Sequence, residues 1–332
     1  MTGTGTGVRR RHPMTAFVFS SGDLIADRRA DYAQALAASG DLPAAIDLMR
    51  QALELAPDWA AGWFRLAEWQ EALGEAEAAR SSWRRVIQID PQDRLGAGLR
   101  LDLARRVPVA ESMPTAFVET LFDQYADRFE ASLVDQLGYQ GPAQILEALL
   151  LAGRTRFDRV LDLGCGTGLM GKAIRPHAGW LEGYDISAGM LAQADAKGVY
   201  DALNKRDLSR LDLNGECFDL ILAADVFIYV GALEQIVGWA AASLNSGGML
   251  AFTLEELPEG EGDLRLRPSR RYAHGAAYVK RLLDQAGFSA PQTSRATLRM
   301  DAGQPVSGLT VFAVRSAQPF RRETDGEEMA SA

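Results

Sequence analysis

The stretch Arg159-Val160-Leu161-Asp162-Leu163-Gly164-Cys165-Gly166-Thr167-Gly168 brings together residue types at a spacing that can do chemistry. It reads as a buried β-strand running into a glycine turn. Glycines at alternate positions let backbone amides approach a ligand where any Cβ would collide, and the carboxylate of Asp162 stands two positions before the first of them. Such a turn suits a nucleotide-type cofactor. Gly166-Thr167-Gly168-Leu169-Met170-Gly171 also satisfies the G-x-G-x-x-G dinucleotide pattern, and Asp185, at the end of a second strand over Trp180 to Tyr184, supplies an acid for a ribose diol in either case. Charge separates the two readings. The arrangement D-x-G-x-G-x-G puts Asp162 where a pyrophosphate would sit, which repels a diphosphate and favours a ligand carrying an ammonium and a sulfonium.

S-adenosylmethionine has both cations, and Phe157 to Arg315 resembles the Rossmann-like methyltransferases that use it. The resemblance implies a seven-stranded α/β sheet whose last strand, near Leu309 to Val314, is antiparallel. It also implies that Asp162, Gly164, Gly166 and Gly168 form the first cofactor motif and that Asp185-Ile186 meets the ribose. Asp207-Leu208, after a candidate third strand at Tyr200 to Leu203, then takes the adenine amino group. Met190 packs on the adenine or simply in the core, and Asp185 and Asp207 have the plainer alternatives of a helix cap and a solvated loop acid. Phe218 to Val226 resembles the fourth strand, whose end at Asp225 faces the methionine moiety and the acceptor, and Leu244 to Leu250 resembles the turn into the fifth. An NAD-dependent oxidoreductase is the alternative that the glycines alone leave open.

Methyl transfer from a sulfonium is an in-line displacement by an activated donor, so the protein mainly aligns the acceptor and excludes water. A base is needed for a hydroxyl or carbon acid, and none for a carboxylate. The candidate catalytic residues are Asp225, Tyr229 and His274; many relatives carry histidine near the position of Tyr229, a departure that weakens a histidine base there. Arg265, Arg267, Arg270 and Arg271 form a local positive cluster in an acidic chain. It is either a solvated loop or a receiver for an anionic acceptor, with Arg270, Arg271, Tyr272 and His274 as the substrate-binding candidates. Glu255 and Glu256 orient a substrate or pair with these arginines. Upstream, Phe122 to Phe129 resembles the aromatic helix that closes over the cofactor in several small-molecule methyltransferases, with Tyr125 and Phe129 one turn apart.

Positioning these residues takes two kinds of architecture. From Ala26 to about Gln92 the chain repeats itself: Gly40, Ala45, Met49, Ala52 and Pro57 return 34 residues later as Gly74, Ala79, Trp83, Val86 and Pro91. This resembles the tetratricopeptide repeat, with Arg29 and Gln70 standing where the repeat usually has aromatics. Two copies fall short of the ~3 that bury a continuous core, so a capping helix with Leu95, Leu99, Leu101 and Leu103 is expected. The predicted organisation is a disordered or extended N-terminus over 1–25, repeats and cap over 26–106, linker and lid helices over 107–156, the methyltransferase domain over 157–316 and a disordered tail over 317–332. As a whole the chain resembles tetratricopeptide-containing methyltransferases. Its acceptor is then a small or carrier-bound, potentially anionic molecule, and the repeats offer a surface to a protein partner; an adaptor that binds the cofactor without turnover is the competing reading.

Composition excludes several classes. The 332 residues carry a formal net charge of −9, contrary to a binder that relies on basic surface for nucleic acid. No run reaches the ~18 apolar residues of a membrane span. Two cysteines, Cys165 and Cys217, and three histidines show no metal-ligand spacing, and Cys165 reads as a small turn residue. A cytoplasmic protein without a metal is expected. Met14 is an alternative start.

Overall fold

The structure is a computed structural model and describes residues 20–105, 113–126, 129–130, 133, 137–213, 215–301 and 303–316. The N-terminus to residue 19, the end of the expected cap at residue 106 and the tail from 317 lie outside the described residues. The chain forms two compact units, 1–108 and 109–332.

In the first unit, helices α1 (Leu24–Ala38), α2 (Leu42–Leu55), α3 (Ala60–Ala72) and α4 (Ala76–Ile89) form two hairpins. Gly40 and Gly74 hold φ of +92° and +86°, the left-handed geometry that ends α1 and α3. The Asp41 and Glu75 amides then donate back to the Leu36 and Gln70 carbonyls. Small residues allow close packing: Ala26, Ala33, Ala45 and Ala67 are all fully buried. The two departures from the repeat pattern have local explanations. The Arg29 guanidinium donates to the Gln51 carbonyl at 2.9 Å, and buried Gln70 accepts from the Ser82 hydroxyl at 2.8 Å. Helix α5 (Ala97–Arg105) follows Asp93, whose carboxylate accepts from the Ala97 and Gly98 amides. It closes α4 with Ala97 and Leu101 against Trp83, and Leu95 packs on the same cluster.

The second unit begins with α6 (Thr115–Tyr125) and α7 (Gly141–Leu151). Strand β1 (Phe157–Leu163), α8 (Leu169–Ile174), β2 (Ala178–Asp185), α9 (Ala188–Ala196), β3 (Ala202–Lys205), β4 (Phe218–Ala223), α10 (Glu234–Ser243) and β5 (Leu244–Leu257) follow. The chain then runs through β6 (Leu264–Leu266), β7 (Tyr272–Gly275), α11 (Ala276–Gln285), β8 (Phe288–Asp301) and β9 (Gln304–Arg315). The sheet runs β3-β2-β1-β4-β5 in parallel, and β9 pairs antiparallel with β5 and with β8. The seven expected strands are β1 to β5, β8 and β9. The arginine-rich segment adds the short antiparallel pair β6 and β7, which docks on the end of β5.

Strand alternation builds a core on each face. Leu161, Leu163, Ile221 and Ala223 face the cluster that holds α10 and α11, while Val160, Leu220 and Leu222 face Ile145, Leu149, Met170 and Ile174 of α7 and α8. The order of the strands reverses between β1 and β4, so their carboxyl ends part there and leave a crevice. In open α/β sheets that is where ligands bind.

Candidate functional site

The crevice holds a cavity of about 160 Å³, walled on one side by Gly164 to Thr167 and on the others by Asp185, Asp207 and Asp225. Gly164, Gly166 and Gly168 have φ of +60°, +54° and +92°, so the turn depends on residues without a Cβ. At Gly164 a Cβ would also stand 2.6 Å from the Val226 side chain. Asp185 fixes the turn from the neighbouring strand. Its Oδ2 accepts from the Gly166 amide and its Oδ1 from the Ser187 amide, both at 2.8 Å. The cap of α9 is Ser187, whose hydroxyl accepts from Met190 N at 3.0 Å. Met190, Ile186 and Leu208 line the cavity. Asp207 Oδ1 accepts from the Ser209 amide and hydroxyl, and its Oδ2 accepts from Thr115 Oγ1 at 3.0 Å, at the start of α6.

Asp162 lies elsewhere than its place in the motif suggests. Strand alternation turns it to the α7 and α8 face, and it does not line the cavity. Its Oδ2 accepts from the Tyr200 hydroxyl at 2.7 Å, and among the described residues Oδ1 has no partner. Burial raises its pKa to about 7, against the lowering effect of the Tyr200 bond and with some help from the Asp185 charge. Burial likewise pushes the Cys165 thiol up, which leaves it without nucleophilic character.

Helix α6 lies over this cavity. Besides the Thr115 bond, Asp123 Oδ1 accepts from the Ser187 hydroxyl at 2.5 Å and from the Gly189 amide at 3.1 Å. Phe122 meets Tyr229 edge-on at 5.2 Å and Phe129 at 6.0 Å. The expected role of Tyr125 needs correction. Tyr125, the last residue of α6, is 52% exposed and absent from the cavity wall. Phe122, which sequence reasoning quoted without assigning, lies on that wall instead.

The arginine-rich segment divides. Arg271 lines the cavity, while Arg270 turns to the side, its guanidinium 5.7 Å from the Phe117 ring. Tyr272 and His274 do not reach the cavity, because pairing of β7 with β5 and β6 takes both into the interior at 0% exposure. His274 Nε2 lies 2.8 Å from the Gly231 carbonyl, its ring stacks on Tyr278, and burial lowers its pKa. It therefore serves the packing of β7 and is unsuited to act as a base. Tyr229 is in the wall, with its phenol pushed up by burial.

Sequence reasoning missed Arg299 and Tyr139. The Arg299 guanidinium is wholly buried and divides its donors between Asp225 Oδ1, at 2.8 Å, and Glu255 Oε1. Asp225 itself has φ of +60°, and its amide donates to Thr253 Oγ1 at 2.8 Å. A non-glycine residue in that region stores roughly 1–2 kcal/mol, held here by the ion pair. Nothing in the run Thr297 to Asp301 distinguishes an inward arginine from an ordinary edge charge. Tyr139 lines the cavity from the segment before α7.

Residues 161–252 match the family model described as a methyltransferase domain, and residues 26–69 match that of a tetratricopeptide repeat. The chain therefore carries a methyltransferase domain with a tetratricopeptide repeat ahead of it. Among curated relatives it is 34% identical over 107 residues to a malonyl-[acyl-carrier protein] O-methyltransferase of Enterobacter lignolyticus, covering 31% of this chain and 43% of that protein. It is 26% identical over 151 residues to a ubiquinone biosynthesis O-methyltransferase of Coxiella burnetii, covering 40% of this chain and 64% of that one. The chain thus spans less than two thirds of the length of either relative. The solved structure of the N-methyltransferase NodS from Bradyrhizobium japonicum, in complex with S-adenosylhomocysteine, aligns with a TM-score of 0.48 at 17% identity over 60% of this chain and 98% of that one.

The donor set of the cavity fits S-adenosylmethionine, the donor such a domain takes. Three carboxylates and one guanidinium line it among the described residues, a balance that favours a cation over a diphosphate, and the unpartnered Asp162 oxygen lies behind the turn. Among the described residues no cluster of His, Cys, Asp and Glu could hold a metal, and no helix is long and apolar enough to cross a membrane.

Two outcomes are expected. Because the folded value of about 7 for Asp162 exceeds an unfolded carboxylate's ~3.9, the folded chain holds a proton there that the unfolded chain lacks. The contribution of this site to stability therefore falls as pH rises from about 4 to about 7, and stays low above that. Melting curves of Asp162→Asn should gain on the wild type as pH rises through that window; a constant difference would contradict the assignment. Arg299→Met, which leaves Asp225 and Glu255 buried without their cation, should lower unfolding free energy by about 3–5 kcal/mol in urea titrations. A change below about 1 kcal/mol would show that the pair is not buried as described.

Proposed function

We propose that this chain is an S-adenosylmethionine-dependent methyltransferase acting on a small or carrier-bound, anionic acceptor, with the repeats docking a protein partner. The observation that carries the reading is the Asp185 bridge between the glycine turn and the start of α9. It leaves a carboxylate on the cavity wall that can accept further hydrogen bonds from a vicinal diol. Asp207 and Leu208 would hold the adenine, Met190 would pack against it, and backbone amides of the turn would meet the amino-acid end, near Asp225.

When bound, the sulfonium supplies an activated methyl group. The residues around it have three tasks: to orient the acceptor in line with the methyl, to exclude water and to complement charge. Helix α6, with Val118 and Phe122 on the wall, gives the cavity an apolar roof. Arg271 provides the cation for an anionic acceptor. The names of the curated relatives, which refer to a carrier-bound malonyl group and to ubiquinone biosynthesis, support acceptors of this general kind.

Calorimetry on the full chain with S-adenosylmethionine, S-adenosylhomocysteine and NAD checks the reading. The first two should bind and NAD should not, and Asp185→Ala should weaken S-adenosylmethionine at least tenfold, about 1.4 kcal/mol. Binding of NAD with no binding of S-adenosylmethionine would replace the methyltransferase by a dinucleotide enzyme. Binding without methylation of any acceptor in a labelled cell extract would favour an adaptor.

A further inference from the structure

A second cavity, of about 280 Å³, adjoins the first. The two share Phe122, Phe129, Leu133, Tyr229 and Arg271, so they meet along a border of aromatic and aliphatic side chains with a single guanidinium. Beyond that border the walls are Phe117, Leu121, Tyr125 and Leu137, with Arg270 and Ser269 also lining the second cavity. Arg270 holds φ of +60°, a strained backbone that places its guanidinium over the Phe117 ring. The chamber thus combines hydrophobic side chains with polar and cationic groups, Arg271 among them at the end that meets the cofactor cavity.

We propose that this second cavity is the acceptor chamber, that it takes the apolar chain of a carboxylic acid, and that Arg271 receives the carboxylate, whose oxygen is the methylated atom. The proposal rests on the methyltransferase reading above and names its substrate class. Three observations favour it. First, Arg271 borders both chambers and donates to the Tyr229 phenol, and its ion pair with Asp301, at 3.4 Å, is long and half-exposed on the Asp301 side. Such a pair contributes about 0–1 kcal/mol, little enough for an incoming carboxylate to displace or share. Second, among the described residues lining either cavity there is neither histidine nor lysine, the carboxylates of Asp185, Asp207 and Asp225 accept from backbone amides, hydroxyls or Arg299, and the Tyr229 phenol is pushed up by burial. A hydroxyl acceptor would need its proton removed; a carboxylate needs no base. Third, the side chains of Phe117, Leu121, Leu133 and Leu137 suit a hydrocarbon chain, whose burial contributes about 0.8 kcal/mol per methylene.

The step balances without any other reagent. One carboxylate oxygen forms the new O–CH3 bond as the S–CH3 bond breaks, and the bonding pair goes to sulfur. Carboxylate and sulfonium lose their charges together, and no proton moves. Arg271 holds the second oxygen and orients the first.

Octanoate is the probe. Titrated into the full chain saturated with S-adenosylhomocysteine, it should bind without displacing the nucleoside, and with S-adenosylmethionine it should give methyl octanoate. Leu121→Trp, which fills the chamber, should weaken octanoate at least tenfold while S-adenosylhomocysteine affinity stays within twofold, which also shows that the variant folds, and Arg271→Met should weaken octanoate at least tenfold. Octanol should bind at least tenfold more weakly than octanoate. Failure of octanoate to bind, unchanged affinity in both variants, or displacement of S-adenosylhomocysteine would overturn the proposal. Absence of S-adenosylhomocysteine binding by the wild type would instead overturn the methyltransferase reading.

Discussion

The Asp185 carboxylate accepts from the Gly166 amide with one oxygen and from the Ser187 amide with the other, and the crevice is arranged around that bridge. It ties the turn after β1 to the start of α9, two segments that arrive from adjacent strands. Charge-assisted bonds of this kind are roughly twice as strong as neutral ones, which suits a joint that has to hold the turn open. The same joint requires the glycines. A side chain at Gly164 would strike Val226, and one at Gly171 would stand 2.2 Å from the Tyr200 hydroxyl. Tyr200 in turn donates to Asp162, so the motif acid braces the underside of the turn that it precedes.

Helix α6 gives the cavity its other character. Thr115 reaches Asp207 and Asp123 reaches Ser187 and Gly189, so the helix is fastened at both ends to elements that border the acids. Its apolar side then faces inward. The result is a cavity with hydrogen-bonded carboxylates on one side and aromatic rings on the other, and that polarity matches a cationic nucleoside beside an apolar acceptor. Arg299 extends the pattern beneath the surface by pairing with Asp225, whose backbone has positive φ.

Much of this was legible in the sequence because it depends on local geometry. The glycine turn, the β1 and β4 strands and the repeat spacing follow from residues close together along the chain, where positive φ and period decide the outcome. The antiparallel last strand was legible through the resemblance to methyltransferases. What escaped depends on distant partners. His274 and Tyr272 lie in an arginine-rich stretch that reads as a loop, yet pairing with β5 buries them. Tyr125 ends α6 on its exposed side, away from the cavity wall. Arg299 is 74 residues from Asp225, and no local pattern shows that a strand arginine turns inward to meet it.

A crystal structure of the chain grown with S-adenosylhomocysteine tests the central claim most directly. The ribose hydroxyls should lie within about 2.6–3.2 Å of the Asp185 carboxylate, with the amino-acid end against Gly164 to Gly168. A nucleoside seated elsewhere, or a ribose out of reach of Asp185 with the turn unchanged, would contradict it.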